Sequence, residues 1–292
     1  MAIGVPMNSI CYECQLRKKL ALARSLGTDQ QATQFAKRML QALADVSPDM
    51  DSIQFGTWTE ELLREYYNVG PDRLKEEKDF SNRFAMERLD GVREKVEAAE
   101  DPLYAALQYA VMGNYIDFSA LQGEVNYENL DQMLSNATSL NLDKVAYARF
   151  CSELEDGKKF LYLTDNAGEI AFDRVMAEQI HKRFPHVEIT FCVRGKPAYN
   201  DALREDAEFV GIPFPVIDNG TNVGGTPIDL VGQDCKAALR SADVILAKGM
   251  GNVESMYGCG YNVYYAFLIK CDRFIQVFQK EKLTPMFLPE RQ

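Results

Sequence analysis

Residues 160–169 read FLYLTDNAGE, an apolar run that ends in a carboxylate, an amide and a glycine. A short apolar run before a turn signal is typical of a buried strand, and a helical pattern resumes after this segment. In open parallel sheets, ligands bind beyond the carboxyl ends of the strands, where new helices offer free N–H groups. Asp165 and Asn166 are therefore predicted to face a crevice.

Two later segments repeat this arrangement of an apolar strand followed by a polar loop with glycines. They are residues 189–201 and residues 243–254. Hard oxygen ligands, cations and flexible backbone together suit a divalent metal that holds a phosphate. The polar side chains that the three loops contribute are Asp165, Asn166, Asp201, Arg194 and Lys248.

The rest of the chain divides into two patterns. Residues 10–155 have apolar residues at three- and four-residue spacing and few β-branched clusters, which predicts helices throughout. After residue 157, short apolar strands alternate with helical segments, which favours an α/β class with a mostly parallel, Rossmann-like, three-layer sheet. We expect a helical cap domain over 1–156 and an α/β/α catalytic domain over 157–292. The predicted strands are 160–164, 188–193, 213–217, 243–247 and 263–270, with a possible sixth at 274–278.

Composition narrows the class of protein. The 32 Lys and Arg against 43 Asp and Glu give a net charge of −11, which disfavours a nucleic-acid partner. No apolar run of eighteen residues occurs and the first residues lack the pattern of a signal peptide, so no membrane partner is expected. Seven cysteines, widely spread, favour free thiols in a reducing compartment, and we expect a cytoplasmic protein. The sequence carries no signal that fixes an oligomeric state.

At this point the chain resembles a known family, the metal-dependent damage-control phosphatases once called domain of unknown function 89. The resemblance covers nearly the whole chain. No single motif decides it, but the motifs occur in the family's order, and this ordered set is highly specific. The N-terminal Cys11-x-x-Cys14 pair resembles the microbial branch. The motifs that carry the resemblance are residues 165–169 (DNAGE), 194–197 with 200–201 (RGKP, ND), 247–254 (AKGMGNVE) and 113–117 (GNYID).

The resemblance implies that Asp165, Asn166 and Asp201 are the metal ligands and, with Lys248, the catalytic residues. Carboxylate and amide oxygens suit a hard cation, and Mn²⁺, Mg²⁺, Co²⁺ or Ni²⁺ is expected. The alternative for an Asp-Asn pair is a helix cap. The residues expected to bind substrate or phosphate are Asn114, Arg194, Gly168, Glu169, Lys248, Gly249, Asn252 and Glu254.

Structural alternatives exist for several of these residues. Lys248 could be solvated, Arg194 could cap a strand end, and Glu254 could offset a helix dipole. Asn114 and Asp117 share one face of a helical segment, where they either contact the phosphate or join two domains. Cys11-x-x-Cys14 could pack within the cap, bind a metal weakly or act in redox chemistry, because no second cysteine pair or paired histidines complete a zinc site.

These residues predict a divalent-metal-dependent phosphatase that hydrolyses phosphate monoesters of small metabolites. The resemblance implies that the substrates are sugar phosphates or damaged phosphometabolites. We expect water as the nucleophile, with a carboxylate such as Asp165 as the alternative. Two histidines disfavour a Ser-His-Asp triad, and no Walker loop occurs. Trp58, Tyr109, Tyr115 and the loop 218–227 are expected to set specificity. The alternatives are an S-adenosylmethionine-dependent carboxyl methyltransferase and a non-catalytic protein that binds a phosphorylated metabolite.

Overall fold

Helices predominate among the described residues that precede the sheet, as the sequence predicts. The computed structural model describes residues 3–116 and 127–290, of which 116 and 127–130 are described by their backbone alone. Asn8, Thr28, Asp51, Asp101 and Asp143 cap helices by accepting bonds from backbone N–H groups of the first turn. The helices are α1 (Ser9–Leu26), α2 (Asp29–Ala44), α3 (Ser52–Tyr67), α4 (Lys75–Glu97), α5 (Pro102–Gly113), α6 (Tyr127–Ser135) and α7 (Lys144–Asp156), with 3-10 turns at Asn114–Ile116 and Ala137–Ser139.

The second half alternates strands and helices around one sheet. The strand order is β3-β2-β1-β4-β5-β6, and every pair is parallel except β5 with β6. This confirms the α/β class with a mostly parallel sheet. The elements are β1 (Lys159–Leu163), α8 (Glu169–Arg183), β2 (Glu188–Val193), α9 (Arg204–Phe209), β3 (Val216–Asp218), α10 (Gln233–Ser241), β4 (Val244–Lys248), α11 (Gly249–Met256), β5 (Val263–Leu268), α12 (Asp272–Phe278) and β6 (Pro285–Pro289).

One predicted strand is wrong. Residues 274–278 lie in helix α12, because Phe274, Val277 and Phe278 recur at helical spacing and all pack against the same core. The sixth strand is instead Pro285–Pro289, which the sequence analysis missed. Its prolines fit an edge strand, where a missing N–H leaves no neighbour unpaired.

Three apolar clusters hold these elements together. Residues from α4, α5, α7 and α8 pack on one face of the sheet, and residues from α10, α11 and α12 pack on the other. Helices α1, α2 and α3 form a cluster of their own around Phe35, Met39 and Leu63. The helices that precede the sheet in sequence therefore contribute both to the layer on the sheet and to a separate bundle. The division into domains at residue 156 stays a prediction.

The sheet topology fixes where a site can form. The chain runs outward from β1 through β2 to β3, and then returns to the other side of β1 with β4. Neighbouring loops diverge at such a switch point and leave a crevice beyond the strand ends. The loop after β1 carries Asp165, and helix α11 begins at Gly249, directly after β4.

Candidate active site

Two loops meet beyond the carboxyl ends of β1 and β2. Asn166 and Asp201 form an isolated antiparallel bridge. The N–H of Ala202 donates to the carbonyl of Asp165 at 2.7 Å, and the N–H of Ala167 donates to the carbonyl of Asn200 at 2.9 Å. These bonds hold the three predicted metal ligands at one place in the fold.

A cavity of about 690 Å³ opens at this point. Four of the residues predicted from the sequence line it: Asp165, Asn166, Asp201 and Glu254. The volume lies within the usual range for small-molecule sites. Burial, together with the nearby charge of Asp51, raises the pKa of Glu254 to about 8. This carboxyl is therefore mostly protonated at neutral pH.

A network of amides and carboxylates lies behind the cavity wall. Asn166 Nδ2 donates to Asp165 Oδ2 at 2.7 Å and to Glu169 Oε2 at 2.8 Å. Asn114 Nδ2 donates to the same two oxygens at 2.8 and 2.9 Å, and its Oδ1 accepts from the N–H of Leu268. Because its Nδ2 is committed to the carboxylates, Asn166 turns its Oδ1 away from them. Asn114, which is fully buried, has both ends of its amide engaged within the protein.

Lys248 lies deeper still, with no exposed surface. Its Nζ donates to Glu169 Oε1 at 2.6 Å, to Asp173 Oδ1 at 2.7 Å and to the carbonyl of Ala110 at 2.8 Å. Burial disfavours the charged lysine, but the two carboxylates outweigh it and raise the pKa of Lys248. An ammonium group has three donors, and all three are used here. Because no donor of Lys248 is left for a phosphate, this geometry favours a different role, in which Lys248 positions Glu169.

Arg194 supports Asp201 rather than lining the cavity. Its Nε donates to Asp201 Oδ2 at 2.6 Å, and its side chain is 1% exposed. Within the described residues, its other two guanidinium nitrogens have no hydrogen-bond partner. The sequence analysis placed this cation on the phosphate, whereas the structure places it on a predicted metal ligand.

Glycines allow the close approach of these elements at two positions. Gly249 has φ +76°, and a Cβ there would lie 1.9 Å from Asp165 Oδ2. Gly168 has φ +78°, and a Cβ there would lie 2.8 Å from Ser81. The N–H of Gly168 already donates to Asn82 Oδ1 at 2.7 Å, so the structure uses it to join α4 to α8. In this structure both predicted phosphate-binding glycines serve the close packing of neighbouring elements.

Asn252 also has a structural place. It is fully buried, and its Nδ2 donates to the carbonyls of Lys248 at 2.6 Å and Thr164 at 3.2 Å. Its Oδ1 accepts from Thr226 Oγ1 at 2.8 Å. Asn252 therefore ties the ends of β1 and β4 to the loop that follows β3.

The donor chemistry fits a hard divalent cation. Asp165, Asn166 and Asp201 offer carboxylate and amide oxygens, which Mg²⁺ and Mn²⁺ prefer. In the part of the chain that the structure describes, no three His, Cys, Asp or Glu side chains are placed to hold a metal. The candidate set is two carboxylates and one amide, and the closely packed Gly249 leaves room for the Asp165 carboxylate. Cys11 and Cys14 are free thiols, the first buried and the second partly exposed.

The cavity contains cations that the sequence analysis missed. Lys18 and Lys19 come from α1, Arg73 from the segment before α4, and Lys270 from the loop after β5. The Lys19 ammonium lies 4.9 Å from the ring centroid of Tyr199, which also lines the cavity. Lys270 follows a parallel strand, so the strand-end rule could have found it. The α1 lysines resemble any solvated helix face.

The predicted specificity residues lie elsewhere. Trp58, Tyr109 and Tyr115 do not line this cavity, and Tyr109 is fully buried. Of the loop 218–227, Gly224 reaches the cavity wall. Asp117 lies outside the described residues. Among the described helices, none has the length and apolar character needed to cross a membrane.

The fold and the site define a Rossmann-like protein with carboxylate and amide oxygens at the switch point of its sheet. The chain belongs to the damage-control phosphatase ARMT1-like domain family, whose model matches residues 7–283. It is 32% identical to an uncharacterised protein of Methanocaldococcus jannaschii, over 92% of this chain and 90% of that one.

Two further relatives are named for an activity. A damage-control phosphatase of Archaeoglobus fulgidus is 34% identical over 63% of this chain and 64% of its own. A damage-control phosphatase of Pyrococcus horikoshii is 34% identical over 52% of each chain. The crystal structure of a protein of the domain of unknown function 89 family from P. horikoshii superposes on this structure with a TM-score of 0.84. The superposition covers 98% of this chain and 99% of that one, at 22% identity. That superposition confirms the fold.

Proposed function

We propose that this protein is a divalent-metal-dependent phosphatase that hydrolyses phosphate monoesters of small metabolites, such as sugar phosphates or damaged phosphometabolites. Family membership and the relatives named damage-control phosphatases support a phosphatase in metabolite repair. The dependence on a metal and the substrate class rest on the residues of the site.

The observation that carries the proposal is the bridge between Asn166 and Asp201. It joins the loops after β1 and β2, and so brings Asp165, Asn166 and Asp201 together on one wall of the cavity. These residues would hold the cation. When bound, a divalent cation neutralises phosphate oxygens and so lowers the repulsion between an attacking oxygen and the phosphate.

The surrounding residues orient this set. Arg194 fixes one oxygen of Asp201, while the Asn114 amide fixes one oxygen of Asp165. Lys248 balances the charge of Glu169, which in turn accepts from Asn166. Supporting bonds of this kind typically change metal affinity or activity by about 10- to 100-fold when they are removed.

The cavity supplies the remaining binding groups. Lys18 and Lys270 lie on its wall and can attract the anionic substrate, while Tyr199 offers an aromatic face to its organic part. We infer that water attacks the phosphorus, because a carboxylate that ligates a cation is a weaker nucleophile than when free.

Phosphate release tests the proposal. We would measure it from p-nitrophenyl phosphate and a panel of sugar phosphates with Mn²⁺, Mg²⁺, Co²⁺ or Ni²⁺, and with chelator. Asp165→Asn should reduce release by at least about 100-fold, because it removes a ligand charge. Asp90→Asn, at an exposed carboxylate on α4, is the matched control and should have no effect. A folded wild type without release under any metal would contradict the proposal.

A further inference from the structure

A second cavity, of about 390 Å³, adjoins the first. Lys18, Met250, Glu254 and Lys270 line both cavities. Helix α1 forms a continuous wall along them, with residues 10–18 on the second cavity and residues 15–25 on the first. The two cavities therefore lie side by side along α1 and share part of their lining.

The second cavity is basic. In a chain with a net charge of −11, five cationic side chains line this one space against three carboxylates. Clefts with an excess of one charge concentrate ligands of the opposite charge. The five cationic residues are Arg17, Lys18, Lys270, Arg273 and Lys282.

Two of these cations are held in place and partly removed from water. Lys270 is 7% exposed at the wall that the cavities share. Arg273 is anchored through bonds to Gln276 Oε1 at 3.0 Å and to the carbonyl of Pro6 at 3.2 Å, and its buried Nε has no hydrogen-bond partner among the described residues. A buried guanidinium N–H without an acceptor is costly, and a bound anion would supply one.

The shared carboxyl does not oppose an anion at neutral pH. Burial raises the pKa of Glu254 to about 8, so the side chain between the cavities carries little charge at pH 7. It can then donate a hydrogen bond instead of repelling a phosphate. The remaining carboxylates, Glu13 and Asp272, are exposed and well solvated.

The offset of the two lining segments along α1 gives a scale for a ligand that contacts both cavities. The midpoints of the two α1 segments are residues 14 and 20, and six residues of helix rise by about 9 Å. A six-carbon chain with an anionic group at each end spans this length. A simple monophosphate of the same chain would leave the basic cavity unfilled.

We infer that this basic cavity is a subsite for a second anionic group of the substrate. The substrate class is then a small metabolite with two anionic ends, either a sugar bisphosphate or a phosphorylated sugar acid. This inference rests on the proposed function, because it assumes that the first anionic group is the phosphate that is hydrolysed.

Kinetics with matched substrates test the inference. We would compare KM for fructose 1,6-bisphosphate, 6-phosphogluconate, fructose 1-phosphate and fructose 6-phosphate in the wild type and in Arg17→Glu/Lys282→Glu. Loss of charge-assisted contacts should raise KM for the doubly anionic substrates by about tenfold or more, with little change for the monophosphates. Which doubly anionic substrate has the lower KM in the wild type distinguishes a phosphate from a carboxylate in the subsite.

Arg24→Glu/Lys280→Glu is the control pair. Arg24 lies two turns along α1 from Arg17, and Lys280 lies two residues from Lys282. Arg24 and Lys280 are both exposed, and neither lines the first or the second cavity. The control should match the wild type with every substrate. Equal rises in KM in both double variants would mean that general surface charge is responsible, and this would overturn the inference.

Binding separates the two proposals. Calorimetric titration of fructose 1,6-bisphosphate and fructose 6-phosphate into the metal-free wild type, with chelator present, reports affinity without turnover, because the proposed hydrolysis needs the metal. Tighter binding of the bisphosphate that Arg17→Glu/Lys282→Glu removes would support the subsite even if no phosphate is released, in which case only the proposed function fails. Release of phosphate with equal affinity for both ligands would leave the function standing and overturn the subsite.

Discussion

Replacing Lys248 by methionine should lower the free energy of unfolding of the protein, because Lys248 is part of a buried ionic cluster with Glu169 and Asp173. The substitution keeps most of the apolar stem but leaves Glu169 and Asp173 without their cation, in a place where all three side chains have no exposed surface. The two ionic bonds lost are 2.6 and 2.7 Å long, and the carbonyl of Ala110 loses a donor as well. Breaking one partner of a buried ion pair costs about 3–5 kcal/mol.

A loss of this size lowers the melting temperature of a chain of this length by on the order of 10 °C. Burial already raises the pKa of Asp173 in spite of Lys248, and without the lysine this carboxyl would favour its proton more strongly. A raised carboxyl pKa gives stability that is lost as pH rises, so Lys248→Met should lose more stability at pH 8 than at pH 5.

Thermal denaturation followed by circular dichroism at both pH values measures the effect, with exposed Lys280→Met as the control. A folded Lys248→Met protein with wild-type stability but no phosphatase activity would contradict a stabilising role for the buried cluster of Lys248, Glu169 and Asp173. In that case the lysine would contact the substrate, as the sequence analysis expected.

Two further perturbations examine the site from other directions. Gly249→Ala should reduce phosphatase activity by about 100-fold, because the added Cβ would displace the Asp165 carboxylate. Gly260→Ala is the control and should leave activity near wild type. Gly260 has a similar φ of +79°, but no atom lies within 4 Å of the position its Cβ would take. Equal activities would contradict the packing described. Burial raises the pKa of Glu254 to about 8, so the wild type should lose about 3 kcal/mol of stability from this group between pH 6 and 9. Glu254→Gln should abolish that loss, as chemical denaturation at each pH would measure. An unchanged pH dependence of stability would contradict the raised pKa.

Local patterns were enough to predict the class of fold. The apolar run at 160–163 became β1, and the later runs at 188–193 and 244–247 became its neighbours. Strand order depends on crossovers that no local pattern encodes, although right-handed connections restrict it. The apolar residues of α12 misled because a run of five residues satisfies a buried strand and a buried helix equally well.

Sequence and structure agree on where the three predicted metal ligands lie, whereas they differ on what several of the predicted phosphate-binding residues contact. Sequence placed Asp165, Asn166 and Asp201 at strand ends, and the structure brings them together. It could not tell that Lys248 points back into the core, because the direction of a strand-end side chain depends on α5 and α8 packing behind it. Nor could it find Lys18, since a lysine that lines a cavity and one on a solvated helix look alike in sequence.

Direct titration of Mn²⁺ into the protein tests the central claim that Asp165, Asn166 and Asp201 hold a divalent cation. We expect the wild type to bind one Mn²⁺ per chain by calorimetry, and Asp201→Asn to weaken binding by at least about tenfold. Glu77→Gln, which removes an exposed carboxylate from the rim of the same cavity, should leave affinity unchanged. Equal affinity in the wild type and Asp201→Asn would contradict the claim, whatever activity the protein has.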